Sequence, residues 1–284
     1  MKNLFTLFIL LSFFLGNAQL EIPKEIAFDT PFATAENHMI LLPPKSSDKE
    51  FIVGLPYFDE AAGYSFKLFG SLIPKNETYI FEPTESNLIA RWKYVDLKVA
   101  VIPDQKIADW KIPDPADFLK NYKSSRPEDD VLVDKMSFLN GAGFSELALK
   151  GLEKLKAKNY KSEKFYFELA YSYNALSDFS KAEETISEAT SNGFSSELLV
   201  KEKHYAMLHL NKISEAATYL ENNFENFKNP AYKSESILNQ ISNFYNSSDF
   251  VNTKKWINIY KKEIGTDQYQ SKIDRFESAL KEKK

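Results

Sequence analysis

The stretch 163-EKFYFELAYSYNALSDFSKAEETISEATSNGFSS-196 is the clearest copy of a pattern that repeats along the second half of the chain. Its Ala182 lies midway between Ala148 and Ala216, so a small residue recurs at a fixed interval of about 34 residues. An apolar residue recurs four positions later in each copy, as Leu152, Ile186 and Leu220. A period of this length is typical of helix pairs that stack into a solenoid, because one pair cannot bury its apolar face without neighbours on both sides.

Weaker copies of this pattern lie on both sides of the stretch. The next copy, 197–230, keeps the recurring small and apolar residues but has His204 where the first helix carries a small residue. A further copy begins near Ser234, after a short insertion. Residues 127–155 supply a divergent first pair, and 266–283 have the composition of a polar-faced capping helix. The sequence therefore predicts three to four helix pairs followed by a cap.

The best copy resembles a known repeat family. The pattern of small residues at helix crossings and larger ones wedged between them is carried by Leu169-Ala170, Tyr173, Asp178-Phe179, Ala182, Ile186 and Ala189. This arrangement is similar to the tetratricopeptide repeat (TPR) pattern. The resemblance implies that residues 116–284 form an all-α, TPR-like solenoid with a C-terminal capping helix, and that this half is a protein-interaction module.

A candidate binding groove follows from the repeat alignment. The first helices of such pairs line a concave surface that suits an extended peptide, with amides and lysines for its polar groups and aromatic rings for its side chains. The candidate groove residues are Phe167, Tyr171, Asn174, Lys201, Tyr205, His209, Tyr245 and Asn246. The alternative is that these rings pack between helices, in which case Tyr171 and Tyr205 would be buried.

The first half of the chain has a different composition. Before Pro113-Asp114-Pro115 it is rich in proline and carries more Asp and Glu than Lys and Arg, which indicates a separate domain at 19–115. Short β-branched and aromatic runs separated by turn residues predict a small all-β sandwich or barrel with negligible helix. The predicted strands are Met39–Leu42, Phe51–Leu55, Tyr64–Leu68, Thr78–Phe81, Leu88–Tyr94, Leu97–Ile102 and Ile107–Ile112.

Residues 1–18 have the features of a signal peptide. Lys2 precedes an apolar run, Leu4–Leu15, and Gly16-Asn17-Ala18 fits the cleavage rule of small residues. The run is shorter than the roughly 20 residues that span a bilayer, so no stable membrane insertion is expected. The sequence predicts export, to the periplasm or as a secreted protein, with cleavage after Ala18.

Composition argues against several function classes. The chain has no Cys, so a disulfide framework, a thiol nucleophile and a thiolate metal site are excluded. Its net charge of −4 does not provide the basic surface that nucleic-acid binding needs. His204 and His209 are five apart, which is the wrong spacing for a shared metal on one helix, and no nucleotide or hydrolase motif is present. We therefore expect no metal, no cofactor and no enzymatic activity.

The first half resembles one family of exported serine-protease inhibitors, the ecotins. The segment Pro31–Met39 (PFATAENHM) carries the resemblance most clearly. Further similar segments follow in the family's order and with similar spacing: Pro23–Ala27, Leu42–Pro44, Phe51–Leu55, Phe69–Leu72, Tyr79–Phe81, Val99–Asp104 and Asp109–Lys111. The resemblance covers residues 20–112 and implies an ecotin-like β-domain that binds a trypsin-like or chymotrypsin-like serine protease. It also implies a homodimer in which the final strand, here Asp109–Ile112, exchanges between two chains.

The inhibitory loop can be aligned in two ways, because the segment between Phe81 and Leu97 is shorter than the family's reactive loop. In one alignment Ser86–Ala90 is the reactive segment and Leu88 fills the protease specificity pocket. In the other the loop is cut to Pro83–Ser86, and the chain from Leu88 onward is already a strand. The candidate protease-binding residues are Pro83, Thr84, Glu85, Ser86, Asn87, Leu88 and Ile89. The resulting hypothesis is an exported ecotin-like inhibitor joined to a TPR protein-interaction module. The alternative is a non-inhibitory cell-envelope scaffold that binds peptides or proteins in the TPR groove.

Overall fold

The computed structural model of the chain describes residues 26–75, 78–93 and 97–282. The described residues form two compact units, divided between Lys123 and Ser124. The first unit contains an antiparallel sheet and the second contains stacked helices, which confirms the predicted β + α class with a TPR-like solenoid. The division falls beyond Pro115, the boundary that composition indicates. The predicted signal peptide, 1–18, lies outside the described residues.

The sheet of the first unit has seven strands within the described ranges, in the order β1-β7-β2-β3-β4-β5, with β6 also paired to β4. The strands are β1 (Thr30–Pro31), β2 (Ile40–Leu41), β3 (Phe51–Asp59), β4 (Gly63–Lys75), β5 (Thr78–Pro83), β6 (Ile89–Arg91) and β7 (Lys98–Val101). All pairs are antiparallel. Six of the seven predicted runs overlap one of these strands.

The seventh predicted strand, Ile107–Ile112, is wrong. Pro103 precedes a helix, α1 (Asp104–Asp109), in which Asp104 lies in the first turn, where a carboxylate favours helix formation. Trp110 and Ile112 then pack into the core beside the sheet. The exchange strand predicted for Asp109–Ile112 is therefore not a strand in this structure, and the expectation of negligible helix in this half is also wrong.

The chain continues to pack on the sheet after Pro115. The short helix α2 (Ala116–Leu119) places the ring of Phe118 against Tyr57, with centroids 5.1 Å apart, and Tyr122 also contacts Tyr57 at 4.5 Å. These aromatic contacts bury apolar area that a linker would leave in water. The composition change near Pro115 therefore precedes the end of the compact unit.

The segment Pro31–Met39 has a structural role in this unit. Phe32 is fully buried, and its ring stacks on Trp92 at 4.8 Å and lies 6.3 Å from Phe66. A Cβ atom at Gly54 would meet the Phe66 ring at 2.1 Å, so glycine is required there for this aromatic cluster to close. The segment that carries the inhibitor-family resemblance is thus part of the apolar core.

The second unit, in its described residues, consists of four helix pairs and a final helix. The helices are α3 (Glu128–Gly141), α4 (Ser145–Ala157), α5 (Glu163–Ala175), α6 (Phe179–Ser191), α7 (Glu197–His209), α8 (Ile213–Asn222), α9 (Pro230–Asn246), α10 (Phe250–Glu263) and α11 (Gln270–Glu282). Ala148, Ala182 and Ala216 are each fully buried. The predicted repeat and its small residues at helix crossings are confirmed.

The turn inside each pair has one conformation. Its left-handed residue is Gly143, Ser177, Asn211 or Ser248, with φ of +60° to +84°. The next residue donates its N–H back to the first helix, as Asp178 does to the Tyr173 carbonyl at 2.8 Å, which closes the helix end. Asp178 and Asp249 then cap the second helix through their side chains.

Candidate functional site

The first helices of neighbouring pairs are joined by buried amide–carboxylate contacts. The Asn140 amide of α3 donates to the carboxylate of Glu168 on α5 at 2.8 Å and to its backbone carbonyl at 3.0 Å. Asn174 of α5 makes the same two bonds to Glu202 of α7, again at 2.8 and 3.0 Å. The second contact repeats the first one repeat period later, so one face of the first helices is closed by repeat packing.

The Asn174–Glu202 contact buries an amide and a carboxyl group together on this closed face. Burial raises the pKa of the Glu202 carboxyl, and the Asn174 amide acts in the opposite direction. Asn174 itself is only 6% exposed. The structure therefore places this candidate groove residue inside the repeat interface, where its amide serves Glu202, and not on the surface where a ligand would meet it.

The next interface uses different residues. Leu208 takes the place of the asparagine and, counted from the equivalent turn residues Asn211 and Ser248, Asn239 takes the place of the glutamate, so both members of the buried pair are replaced together. His204 and Gln240 supply the polar contact there, with 2.9 Å between the ring Nε2 and the amide Oε1. Burial lowers the pKa of His204 to about 4, so the ring is neutral at pH 7. His204 is thus a structural residue of the α7–α9 contact.

The open face of the first helices, between the positions that make these buried contacts, carries aromatic rings: Tyr171 is three residues from both Glu168 and Asn174. Tyr171 of α5 and Tyr205 of α7 are separated by one repeat period and occupy equivalent positions in equivalent helices. Tyr205 is 36% exposed and Tyr171 is half-buried, so neither is enclosed between helices. Tyr171 and Tyr205 are therefore not buried between helices, as the alternative to a binding groove required.

Further rings surround these two tyrosines. Phe167 lies one helical turn before Tyr171, with centroids 6.1 Å apart. His209 lies 4.3 Å from Tyr205 and stacks on Phe179 at 4.5 Å. We call Phe167, Tyr171, Phe179, Tyr205 and His209 the aromatic row. Phe179 belongs to the repeat pattern but is not among the predicted groove residues, although the repeat alignment places it at the start of a second helix, next to the following first helix.

The charged side chains near the row are paired. Lys201, predicted as a groove cation, lies 3.2 Å from Glu235 and 5.4 Å from the Tyr232 ring. Lys164, on α5, lies 2.7 Å from Asp134. A partner carboxylate would have to compete with these ion pairs for each lysine. The remaining predicted residues lie at the end of α9, where Tyr245 contacts Phe250 and Phe276 at 5.8 and 5.2 Å and Asn246 is exposed.

The predicted protease-binding residues form a short excursion at the edge of the sheet. Pro83 ends β5, Ile89 begins β6, and both strands pair with β4, so residues 84–88 project between two anchored strands. The Thr84 N–H donates to the Phe69 carbonyl and the Leu68 N–H donates to the Leu88 carbonyl, each at 3.1 Å. Leu88 is 51% exposed.

The inside of this loop is held by side chains. The Ser86 N–H donates to the Thr84 hydroxyl at 3.1 Å, and the Lys67 ammonium donates to the Asn87 amide oxygen at 3.3 Å. The loop is therefore short, anchored at both ends and apolar at its C-terminal end. Strand pairing resumes at Leu88, whose carbonyl accepts from the Leu68 N–H, and β6 begins at the next residue.

The other surfaces are less suited to binding a ligand. An open depression of about 470 Å³ beside α6 and the α7–α8 turn is lined by Ser180, Glu183, Glu184, Ser187, Leu210 and Lys212. Its lysine is already paired with Glu183 at 2.8 Å. Among the described residues no group of three or more His, Asp or Glu side chains is arranged to hold a metal ion. In the same ranges no helix has both the length and the apolar character needed to cross a membrane.

Comparisons with known proteins add a fold likeness only. No protein-family model and no curated protein matches the chain. Among solved structures, it is similar to a Podosopora anserina protein assigned to the kinesin light chains, with nearly identical TPR-like repeats. That match has 15% identity, covers 59% of this chain and 88% of the other, and has a TM-score of 0.39. A point variant of that protein matches with the same identity and coverage and a TM-score of 0.40.

Proposed function

We propose that the chain is an exported protein-binding protein whose TPR-like unit binds an extended peptide segment of a partner along the aromatic row. The observation that supports this function is the pair Tyr171 and Tyr205, which lie at equivalent positions on successive first helices and keep part of each ring in water. Aromatic rings with an exposed polar tip are favoured at binding surfaces because they bury apolar area and still offer a hydrogen bond.

The test is selection of ligands from a random peptide library displayed on phage. The bait is the mature chain, residues 19–284, which remains after the predicted cleavage. We expect selected peptides to bind the wild-type chain and to bind the Tyr171→Ala/Tyr205→Ala variant at least tenfold more weakly. Tyr166→Phe is the matched control, because its ring is buried and its hydroxyl is bonded to Glu188 at 3.0 Å. This function would be contradicted if the selected peptides bound the Tyr171→Ala/Tyr205→Ala variant as tightly as they bind the wild-type chain. It would also be contradicted if no peptide were selected.

A second function, inhibition of a trypsin-like or chymotrypsin-like serine protease by the β-domain, is favoured by a separate observation. The loop at residues 84–88 is hydrogen-bonded to β4 at both ends and presents Leu88 to solvent. A loop held in one shape by its scaffold loses little entropy on binding, which is what a substrate-like inhibitor requires. The resemblance of residues 20–112 to ecotins supports the same proposal.

The inhibitory function is tested by titrating trypsin, chymotrypsin and elastase with the mature chain and with Leu88→Asp. Inhibition that is lost in Leu88→Asp supports Leu88 as the residue in the specificity pocket. Inhibition that is unchanged in Leu88→Asp moves the contact to residues 83–86. Absence of inhibition of all three enzymes removes this function and leaves peptide binding by the second unit.

Export is proposed on the basis of residues 1–18. Expression of the full chain in a bacterial host, followed by fractionation and N-terminal sequencing, should give a periplasmic or secreted product that begins at Gln19. A product that retains Met1 and stays in the cytoplasm would contradict it.

A further inference from the structure

We propose that the ligand of the aromatic row is an uncharged, proline-rich segment in the polyproline II conformation, with every third residue placed on a tyrosine of the row. This inference rests on the proposed peptide-binding function and specifies the chemical class of the peptide. Three features of the row favour it: the spacing of its tyrosines, their unused hydroxyls and the pairing of nearby charges.

The distance between neighbouring first helices matches the length of three residues of a polyproline II segment. The helices α5 and α7 are in contact, and packed helices lie about 8 to 10 Å apart. Three residues of polyproline II advance about 9 Å and complete one turn, so residues i and i+3 point to the same side. A β-strand covers a similar distance in three residues, but its side chains i and i+3 point to opposite faces. A polyproline II ligand therefore presents one side chain per repeat to Tyr171 and Tyr205.

The hydroxyls of the two tyrosines are available to a ligand. The hydroxyls of Tyr166 and Tyr173 donate hydrogen bonds to the carboxylates of Glu188 and Glu153, respectively. Among the described residues, the hydroxyls of Tyr171 and Tyr205 have no such partner. The carbonyls of a polyproline II segment make no internal hydrogen bonds and are open to donors. Each tyrosine can therefore pack its ring on a proline and donate its hydroxyl to a ligand carbonyl.

Charge complementarity selects against a charged ligand. Lys201, one helical turn before Tyr205, is paired with Glu235 at 3.2 Å, so this cation is already neutralised. A ligand carboxylate would have to displace Glu235 from Lys201, whereas an uncharged segment leaves the pair intact. Proline-rich segments also lose little conformational entropy on binding, since their free conformation is already extended.

The test is isothermal titration of the mature chain with three nine-residue probes, each acetylated and amidated. The probes are an oligoproline, an Ala-Gly-Ser peptide of the same length, and an oligoproline with glutamate at every third residue. We expect the oligoproline to bind at least tenfold more tightly than either of the other two. We expect Tyr205→Phe to weaken oligoproline binding a few-fold through the lost hydroxyl, and Tyr205→Ala to weaken it at least tenfold. Val251→Ala is the control, because that residue is apolar and 81% exposed but lies outside the row.

The outcomes separate this inference from the function on which it rests. If oligoproline does not bind, but a library-selected peptide does and loses affinity in Tyr205→Ala, the row binds peptides and the polyproline assignment is wrong. Oligoproline binding that is insensitive to Tyr205→Ala would also overturn the assignment. If neither oligoproline nor any library peptide binds, both the inference and the peptide-binding function fail.

Discussion

The first helices α5 and α7 carry two adjacent sets of residues with different chemistry, one on a closed face and one on an open face. On the closed face, Asn174 is buried and its amide is bonded to the Glu202 side chain and backbone of the next repeat. On the open face, Tyr171 and Tyr205 have exposed ring surface and hydroxyls without partners among the described residues. The same repeat period places both sets of residues. Polar groups on one face hold the repeats together, while those on the other remain available.

Mutations on the two faces are expected to have different effects. Substitutions on the closed face should change the free energy of unfolding, because they leave buried polar groups without partners. Substitutions on the open face should change ligand binding with a small effect on stability. The predictions below test this separation.

The largest effect is expected from Asn174→Leu. The substitution removes the amide that donates to the buried Glu202 carboxylate, and an uncompensated buried charge costs about 3 kcal/mol or more. We expect this loss in the free energy of unfolding of the mature chain, measured in urea at pH 7.5.

The control for Asn174→Leu is the double variant Asn174→Leu/Glu202→Ser. It removes both partners together, as the next interface does with Leu208 and Asn239. Most of the lost stability should return, because the unpaired carboxylate is gone. A double variant that is less stable than Asn174→Leu would show that the two residues are not coupled in this way.

The next effect concerns pH and the α7–α9 interface. Because the folded-state pKa of His204 is lowered to about 4, the unfolded chain binds a proton more readily and stability decreases as pH falls from about 6.5 towards 4. The contribution lost between pH 7.5 and 4.5 is about 2 to 3 kcal/mol. Glu202, whose pKa is raised, has the opposite dependence, so the His204 contribution must be isolated by a variant.

His204→Gln provides that comparison. Glutamine keeps a hydrogen-bonding group opposite Gln240 and does not titrate. The stability difference between wild type and His204→Gln, measured by urea unfolding, should therefore shrink or reverse in favour of the variant as the pH is lowered from 7.5 to 4.5. A difference that is constant over this range would contradict the lowered pKa.

The repeat period could be predicted from the sequence because it depends on apolar and small residues. Ala148, Ala182 and Ala216 are fully buried, and they recur at the same interval as the helices. The Asn–Glu contacts could not be recognised in the same way, although Asn140 and Asn174 recur at this interval, as do Glu168 and Glu202. A polar residue that follows the structural period indicates a buried partner, whereas the groove hypothesis assigns Asn174 to a ligand.

The error at Ile107–Ile112 has a local cause. A run of apolar residues is compatible with a strand or a buried helix, and such short runs cannot be distinguished by periodicity alone. The sequence Pro103-Asp104 is a helix-start signal, since proline is tolerated at a helix start and an acidic side chain is favourable in the first turn. That signal outweighed the β-propensity of Ile107 and Trp110.

A smaller effect is expected from Ala206→Ser. In the first interface Ser172 donates to the Asn140 amide oxygen at 2.8 Å, whereas the equivalent oxygen of Asn174 is buried without a partner among the described residues. Ala206 lies one repeat period after Ser172, so a serine there supplies the missing donor. We expect a gain of about 1 kcal/mol in urea unfolding. The gain should disappear in an Asn174→Leu background, and a gain that persists there would show that the serine acts elsewhere.

The smallest effect is expected at the turn between α5 and α6. Ser177 has a φ of +63°, a conformation that glycine adopts without the steric cost of a Cβ atom. Ser177→Gly should therefore raise the free energy of unfolding by about 0.5 kcal/mol and leave peptide binding unchanged. Ser177→Val, which is β-branched, should lower it, and equal stability of the glycine and valine variants would contradict the role of the turn.

The open face is expected to serve binding and the closed face stability, and the variant Tyr205→Ala distinguishes these two roles. Tyr205 contributes ring contacts to Phe179 and His209, which are worth about 1 kcal/mol. We predict that Tyr205→Ala unfolds within about 1 kcal/mol of wild type and binds a library-selected peptide at least tenfold more weakly. A loss of about 3 kcal/mol in stability with peptide binding retained would contradict this expectation, because Tyr205 would then be a packing residue.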